Sequence, residues 1–282
     1  MKNCVVLSGA VSLFCLLSAT AGFAESNTPR SVSLAAHRAV YDMTLNGEAG
    51  SGGIEAVNGR LVYEEIGNSC DGYTLRARQV INFQTETGQH TIDSTTNSYE
   101  SGDGKQMRFK MHSLLDGNTT EETDGEAVLV DNELQVRIKT PTGPKKLSWK
   151  GDISLPNSLV RKILTAAQSG ETTVNARIYD GTDSGDQVYE TFTLIGHRIE
   201  PGEGKDLEEQ VKVPELMKLA RWPVKVSYFK EGQTGEATPE YSVFSEIYEN
   251  GVSRSVTLNF SDFSVKSEIK ELKFLPMGNC QR

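Results

Sequence analysis

The sequence predicts a mainly β protein: a single curled antiparallel sheet, a β-spiral or open barrel of about fourteen strands, around one amphipathic helix. Three observations carry that expectation. Short segments of alternating apolar and polar residues follow one another along the chain, separated by turns rich in Gly, Asn and Asp. A single stretch, Leu155 to Gly170 (LPNSLVRKILTAAQSG), has convincing helical periodicity. The connections are short, which fits a meander and not a parallel α/β sheet. So many antiparallel strands do not stay flat, because their twist curls them into a barrel, a spiral or stacked layers.

The chain begins with an export signal. Lys2 supplies a positive start, Val5 to Ala19 is an apolar run, and Ala21-Gly22-Phe23-Ala24 offers small residues for cleavage after Ala24. That run is short for a membrane span, and no later stretch approaches 18 apolar residues, so no transmembrane segment is expected. Cys4 and Cys15 fall inside the signal, and Phe14 before Cys15 argues against lipid attachment. The expected product is a periplasmic protein with one β-spiral-like domain over residues 25–282.

His37 to Leu45 opens the series, with Ala39, Tyr41, Met43 and Leu45 on one face. Gly47 to Gly53 holds four glycines but lacks the Gly-Lys-Ser/Thr ending of a phosphate loop, and is read as a turn. Residues 59–66 and 73–85 follow, the second with Tyr73, Leu75, Ala77 and Ile81 opposite Arg76 and Arg78, after an Asp71-Gly72 turn. The pattern continues over 89–100, 105–115, 126–130, 133–140 and 145–150. Next comes the helix. Leu155, Leu159, Val160, Ile163, Leu164 and Ala167 make its apolar side; Pro156 suits the first turn and Gly170 a left-handed stop. An isolated helix of this length is marginal in water, so its apolar side needs a sheet to cover it. Packing in the core is its first reading and a lid over a cavity its second. Residues 172–180, 187–200, 224–231, 241–249, 252–260 and 263–274 complete the strands, with 201–214 a polar, acidic interruption.

Two cysteines, Cys70 and Cys280, remain after signal removal. An even count in an exported chain predicts a disulfide, and two cysteines allow one pairing. A free redox pair or a reactive thiol are the alternatives, and neither has a Cys-x-x-Cys spacing or a nearby His behind it. The net charge of −9 disfavours nucleic acid.

Candidate chemistry is sparse. His37, His90, His112 and His197 are scattered without the local pairing of a zinc site, and no metal or cofactor is expected. Asp180-Gly-Thr-Asp183-Ser-Gly-Asp186 departs from a calcium loop at Thr182, Ser184 and Thr191, so a solvated hairpin tip is the better reading. No Gly-x-Ser-x-Gly or Ser-x-x-Lys signature appears. Glu64-Glu65 and Glu121-Glu122 fall on opposite strand faces or in loops, which is no glycosidase pair. Trp149, Trp222 and Tyr228 are the candidate ligand or partner contacts, with packing at the mouth of the sheet as the rival reading.

Several of these stretches together resemble the EipB-like periplasmic proteins, a family of cell-envelope integrity proteins. The likeness rests on LAAHRAVYDMTL at 34–45, Cys70, the helix ending AAQSGE, YDGTDSG at 179–185, RWPVKVSYF at 221–229, PEYSVFSEIYENGVSRSVTLNF at 239–260, and Cys280. The resemblance implies a β-spiral around a helix and a Cys70–Cys280 bridge. It also implies a non-enzymatic role in envelope integrity and a periplasmic tetratricopeptide-repeat protein as a partner. The expected function is therefore protein binding or scaffolding in the envelope. The alternative is a carrier or sensor of a hydrophobic envelope ligand, and a hydrolase of envelope polymers ranks third.

Overall fold

The chain enters its sheet in the middle and leaves it in the middle. In the computed structural model, residues 32–47, 53–204, 206–232, 238–278 and 280 are described; the export signal and the cleavage after Ala24 lie outside them. From a central position, β1 (His37–Leu45), β2 (Ile54–Asn68), β3 (Gly72–Thr85), β4 (Gly88–Glu100), β5 (Gln106–Leu115), β6 (Asn118–Val130), β7 (Glu133–Ile138) and β8 (Lys145–Lys150) meander to one edge. Gly151 and Asp152 then pass directly to the opposite edge. There β9 (Ile153–Ser154), β10 (Thr173–Ile178), β11 (Tyr189–Ile195), β12 (Arg221–Lys230), β13 (Tyr241–Tyr248), β14 (Ser253–Asn259) and β15 (Ser264–Phe274) return to the middle. β15 pairs with β1 from His37↔Phe274 to Leu45↔Val265. The two edges of the 15-stranded sheet are thus held two residues apart in sequence, and the sheet is a nearly closed barrel.

The observed ladder contains every strand that alternation predicts, and one more. The fifteenth, β9, has only two residues and pairs in parallel with β10. Two residues are too few to show a period. β6 also starts at Asn118, eight residues before the alternation becomes visible, because Asn118–Asp124 is polar throughout and is held by its pairing with β5. At the end of the polar interruption, the short helix α2 (Pro214–Met217) buries Leu216, and Val211, inside the interruption, is also fully buried.

Helix α1 (Pro156–Gln168) lies inside the curl. Leu159, Ile163, Leu164, Ala166 and Ala167 pack in one cluster with Tyr73, Val174, Ile178, Tyr189, Ile195, Trp222, Val224, Val226 and Ile247. The helix ends as its sequence demands. Gly170 sits at φ +80° with its N–H on the Ala167 carbonyl, and the Glu171 N–H reaches the Ala166 carbonyl at 2.9 Å. A second cluster joins Met107, Phe109, Leu134, Val136 and Ile138 to Leu155 and Tyr179.

Cys70 and Cys280 are disulfide-bonded, tying the β2–β3 turn to the end of the chain. The seam between the two edges is crossed by Arg177 of β10. Its guanidinium donates to the Lys150 carbonyl and pairs with Glu231. The exposed edge β8 carries Lys145, Lys146 and Lys150, charges that discourage another chain from pairing there.

Candidate functional site

β11 shows the oddest use of sequence in the sheet. Its residues YETFTLI alternate buried and exposed without a break, yet the buried row is Tyr189, Thr191, Thr193 and Ile195, and the exposed row is Glu190, Phe192 and Leu194. Two threonines point inward while Phe192 and Leu194 remain 37% and 47% exposed. Thr191 donates its hydroxyl to the Ala176 carbonyl, but the buried Thr193 hydroxyl has no partner. Folding alone favours the opposite placement, since the apolar side chains would stabilise the core. Register extends the outer row. Phe192 lies between Asn175 and Ser227, Leu194 between Thr173 and Lys225, and Glu190 between Arg177 and Phe229. Phe192 and Phe229 line an outer groove of about 540 Å³ bounded by Asp152, Arg177 and Glu190, directly beside the seam. An exposed apolar row beside charged residues has the composition of a contact surface.

Inside the barrel the chemistry is concentrated at the start of α1. Leu155, the N-cap, offers no side-chain cap, and the helix begins at Pro156. A carboxylate from another strand does that work. Glu100, at the end of β4, accepts the N–H groups of Asn157 at 2.7 Å and Ser158 at 3.0 Å, and the Ser158 hydroxyl at 2.8 Å. A negative group here also satisfies the helix dipole. Arg161 stands 3.5 Å from the same carboxylate and over the Tyr73 ring. Glu65 of β2 is the second acid of this cluster and is 4% exposed. Burial foremost, with the neighbouring Glu100 charge adding to it, pushes its pKa up to about 7, against hydrogen bonds from Asn157 and Tyr63 and the nearby Arg161. Burial also raises Glu100 and keeps the neighbouring His37 low. Glu65 Oε1, the Tyr73 hydroxyl and Arg161 Nη1 are buried without hydrogen-bond partners.

As alternation predicts, Glu64 and Glu65 fall on opposite faces: Glu64 lies outside, with Arg76, while Glu65 turns inward toward Glu100, 35 positions away in the chain. No local spacing signals that meeting. The helix start without a cap residue was the only available hint.

The three aromatic candidates occupy separate places. Trp222 is buried beneath α1. Tyr228 lies six residues along the inner row of the same strand, roughly 20 Å away, stacked on Tyr241 with ring centroids 4.5 Å apart and met by the edge of Tyr189. Trp149 sits half-buried against Tyr179, in the second cluster. They do not converge on one cleft.

The YDGTDSG loop is occupied by its own contacts. Asp180 accepts the Thr182 N–H and hydroxyl, Tyr189 donates to Asp183, and Lys145 pairs with Asp186. The Tyr179 hydroxyl donates to the Gly185 carbonyl at 2.8 Å, and Gly181 lets the Phe109 ring approach where a Cβ would stand 2.8 Å from it. The motif is a packed corner. Among the described residues, no group of three His, Cys, Asp or Glu side chains is placed to hold a metal ion. No helix among them is long and apolar enough to cross a membrane.

Comparison with known proteins agrees with this architecture. A family model described as EipB-like matches residues 29–276. The cell envelope integrity protein EipB of Brucella abortus (strain 2308) is 29% identical over 260 residues, which covers 92% of this chain and 91% of that protein. A crystal structure of a beta-barrel-like protein of a domain of unknown function, also from Brucella abortus, superposes with a TM-score of 0.78 at 29% identity. It covers 87% of this chain and 100% of its own.

Proposed function

The chain belongs to the EipB-like family, and from that premise we propose that it supports cell-envelope integrity in the periplasm as a non-enzymatic binding or scaffolding protein. The observation that carries this reading is the outward row of β11. Phe192 and Leu194, with Phe229 beside them, offer an apolar contact surface on a rigid sheet, next to the charges of Arg177, Glu190 and Lys225. The Brucella relative is named for cell envelope integrity, and a structural disulfide suits an oxidising compartment. The partner this reading names is a periplasmic tetratricopeptide-repeat protein, whose stacked helices present an extended concave surface to a convex sheet. The carrier reading has less behind it, because α1 already covers the inner apolar row of β10 to β13.

Phe192→Ser with Leu194→Ser tests the proposal. The substitutions leave the inner face intact and should together cost about 2 kcal/mol or less. In a strain lacking the native gene, the double variant is expected to fold, to reach the envelope, and to fail both in restoring detergent resistance and in co-purifying the repeat protein. Full restoration with unchanged co-purification refutes the assignment of this surface.

A further inference from the structure

A second outer groove lies well away from β11, across β3 to β7, and it sets cationic side chains around a largely apolar lining. Its volume is about 530 Å³, and its walls include Asn97, Tyr99, Arg108, Lys110, Arg137 and Lys139. The strand register explains why these side chains share one face. Tyr99 lies opposite Arg108 and Asn97 opposite Lys110 on β4 and β5, and Arg108 and Lys110 in turn lie opposite Glu126 and Asp124 of β6. Those two acids are engaged from the other side. Arg137 pairs with Glu126 at 3.8 Å, and Lys139 with Asp124 at 2.9 Å. Arg108 and Lys110 form no ion pair among the described residues, although the chain as a whole carries a net charge of −9. In so acidic a protein, most basic groups on this sheet have found a carboxylate: Arg60 with Asp42, Arg76 with Glu64, Arg78 with Asp93.

The neighbours of the two free cations narrow the chemistry. The Tyr99 ring is held in place by its hydroxyl, which donates to the Asp71 carbonyl at 2.9 Å. A fixed aromatic face, the Asn97 amide and two cations stand in adjacent register positions. This combination suits a ligand with a flat, partly apolar body, hydroxyls and an anionic substituent. The backbone of β3 to β7 is already paired in the sheet, so the groove offers no ladder to an extended peptide.

We propose that this groove binds an acidic saccharide, with its carboxylate or phosphate on Arg108 and Lys110 and a sugar ring on Tyr99. Charge-assisted contacts fix the anion, and stacking on the ring fixes the body. The site is independent of the β11 surface, so either assignment can fail while the other stands.

The test is calorimetric titration of the oxidised, full-length mature protein with trigalacturonate, and in parallel with maltotriose, inorganic phosphate and hexaglutamate. Trigalacturonate is expected to bind, to weaken as salt rises, and to bind about tenfold or more weakly to R108Q/K110Q. Y99A should weaken it too, and neutral maltotriose should not bind detectably. Circular dichroism and thermal melts of R108Q/K110Q should match the parent, while Y99A should keep the parent's spectrum and melt slightly lower, because it loses the bond to the Asp71 carbonyl. No binding of trigalacturonate, or equal binding by R108Q/K110Q, overturns the site. Phosphate binding as tightly as trigalacturonate overturns the saccharide assignment, and tighter binding of hexaglutamate overturns it in favour of an acidic peptide.

Discussion

Replacing Glu65 with Gln should make this protein more stable at pH 8 and leave it nearly unchanged at pH 4.5. The carboxyl moves from a pKa of 4.5 in the open chain to about 7 in the folded state, chiefly because burial disfavours its charge. Below about pH 4.5 both states hold the proton and no penalty arises. Between 4.5 and 7 the unfolded chain releases it first, so stability falls as pH rises. Above 7 the folded state carries a buried anion, and the accumulated cost is about 3 kcal/mol. Gln keeps the shape and cannot ionise. At pH 8 the variant should therefore gain up to about 3 kcal/mol, or roughly 6–12 °C in Tm for a chain of this size. Urea unfolding followed by circular dichroism from pH 4.5 to 8 measures both curves. Burial also raises Glu100, so a residual slope is expected in the variant, and only the difference between the curves belongs to Glu65. Parallel curves, or a variant less stable than the parent at pH 8, would refute the account of this cluster.

Two other predictions concern single interactions. Cys70→Ser and Cys280→Ser should cost the same, and the double variant no more than either, because one bond is lost in each case. With 210 positions between the cysteines, the chain-entropy estimate is roughly 5 kcal/mol, read as the loss in chemical unfolding. Glu246→Ala should cost about 3–5 kcal/mol by the same assay. Both Arg221 and Arg254 are buried and converge on one Glu246 oxygen at 2.5 and 2.6 Å; Arg254 keeps its pair with Glu208, but Arg221 loses its carboxylate partner.

Much of the fold was legible because pleating leaves a period of two in the sequence. Tyr73–Ile81 and Tyr189–Ile195 both show it, and the capping of α1 by Gly170 follows from a residue type with one local meaning. The legible part ends where local pattern ends. Asn118–Asp124 has no apolar face to reveal, and Ile153–Ser154 is too short. The functional surfaces were harder still. On β11 the period was visible but its sense was not, since a Thr row and a Phe-Leu row alternate identically whichever one faces water. The Glu65–Glu100 meeting depends on the curvature of three strands, and the free charges of Arg108 and Lys110 appear only when their neighbours' partners are known. Trp149, Trp222 and Tyr228 drew attention as rare aromatic residues, and the sheet distributes them to three different settings.

The pairing of β1 with β15 has a consequence for how the molecule comes into being. As the chain emerges N-terminus first into the compartment where it folds, β1 to β8 can zip outward by neighbour-to-neighbour contacts. One side of β1 must nevertheless wait for residues 264–274. The sheet is completed by its last strand, and Cys280 follows that strand in the chain. Until then a long strand in the middle of the future sheet is a bare edge, open to any other chain that offers a complementary ladder. A product cut short before β15 keeps that edge for good.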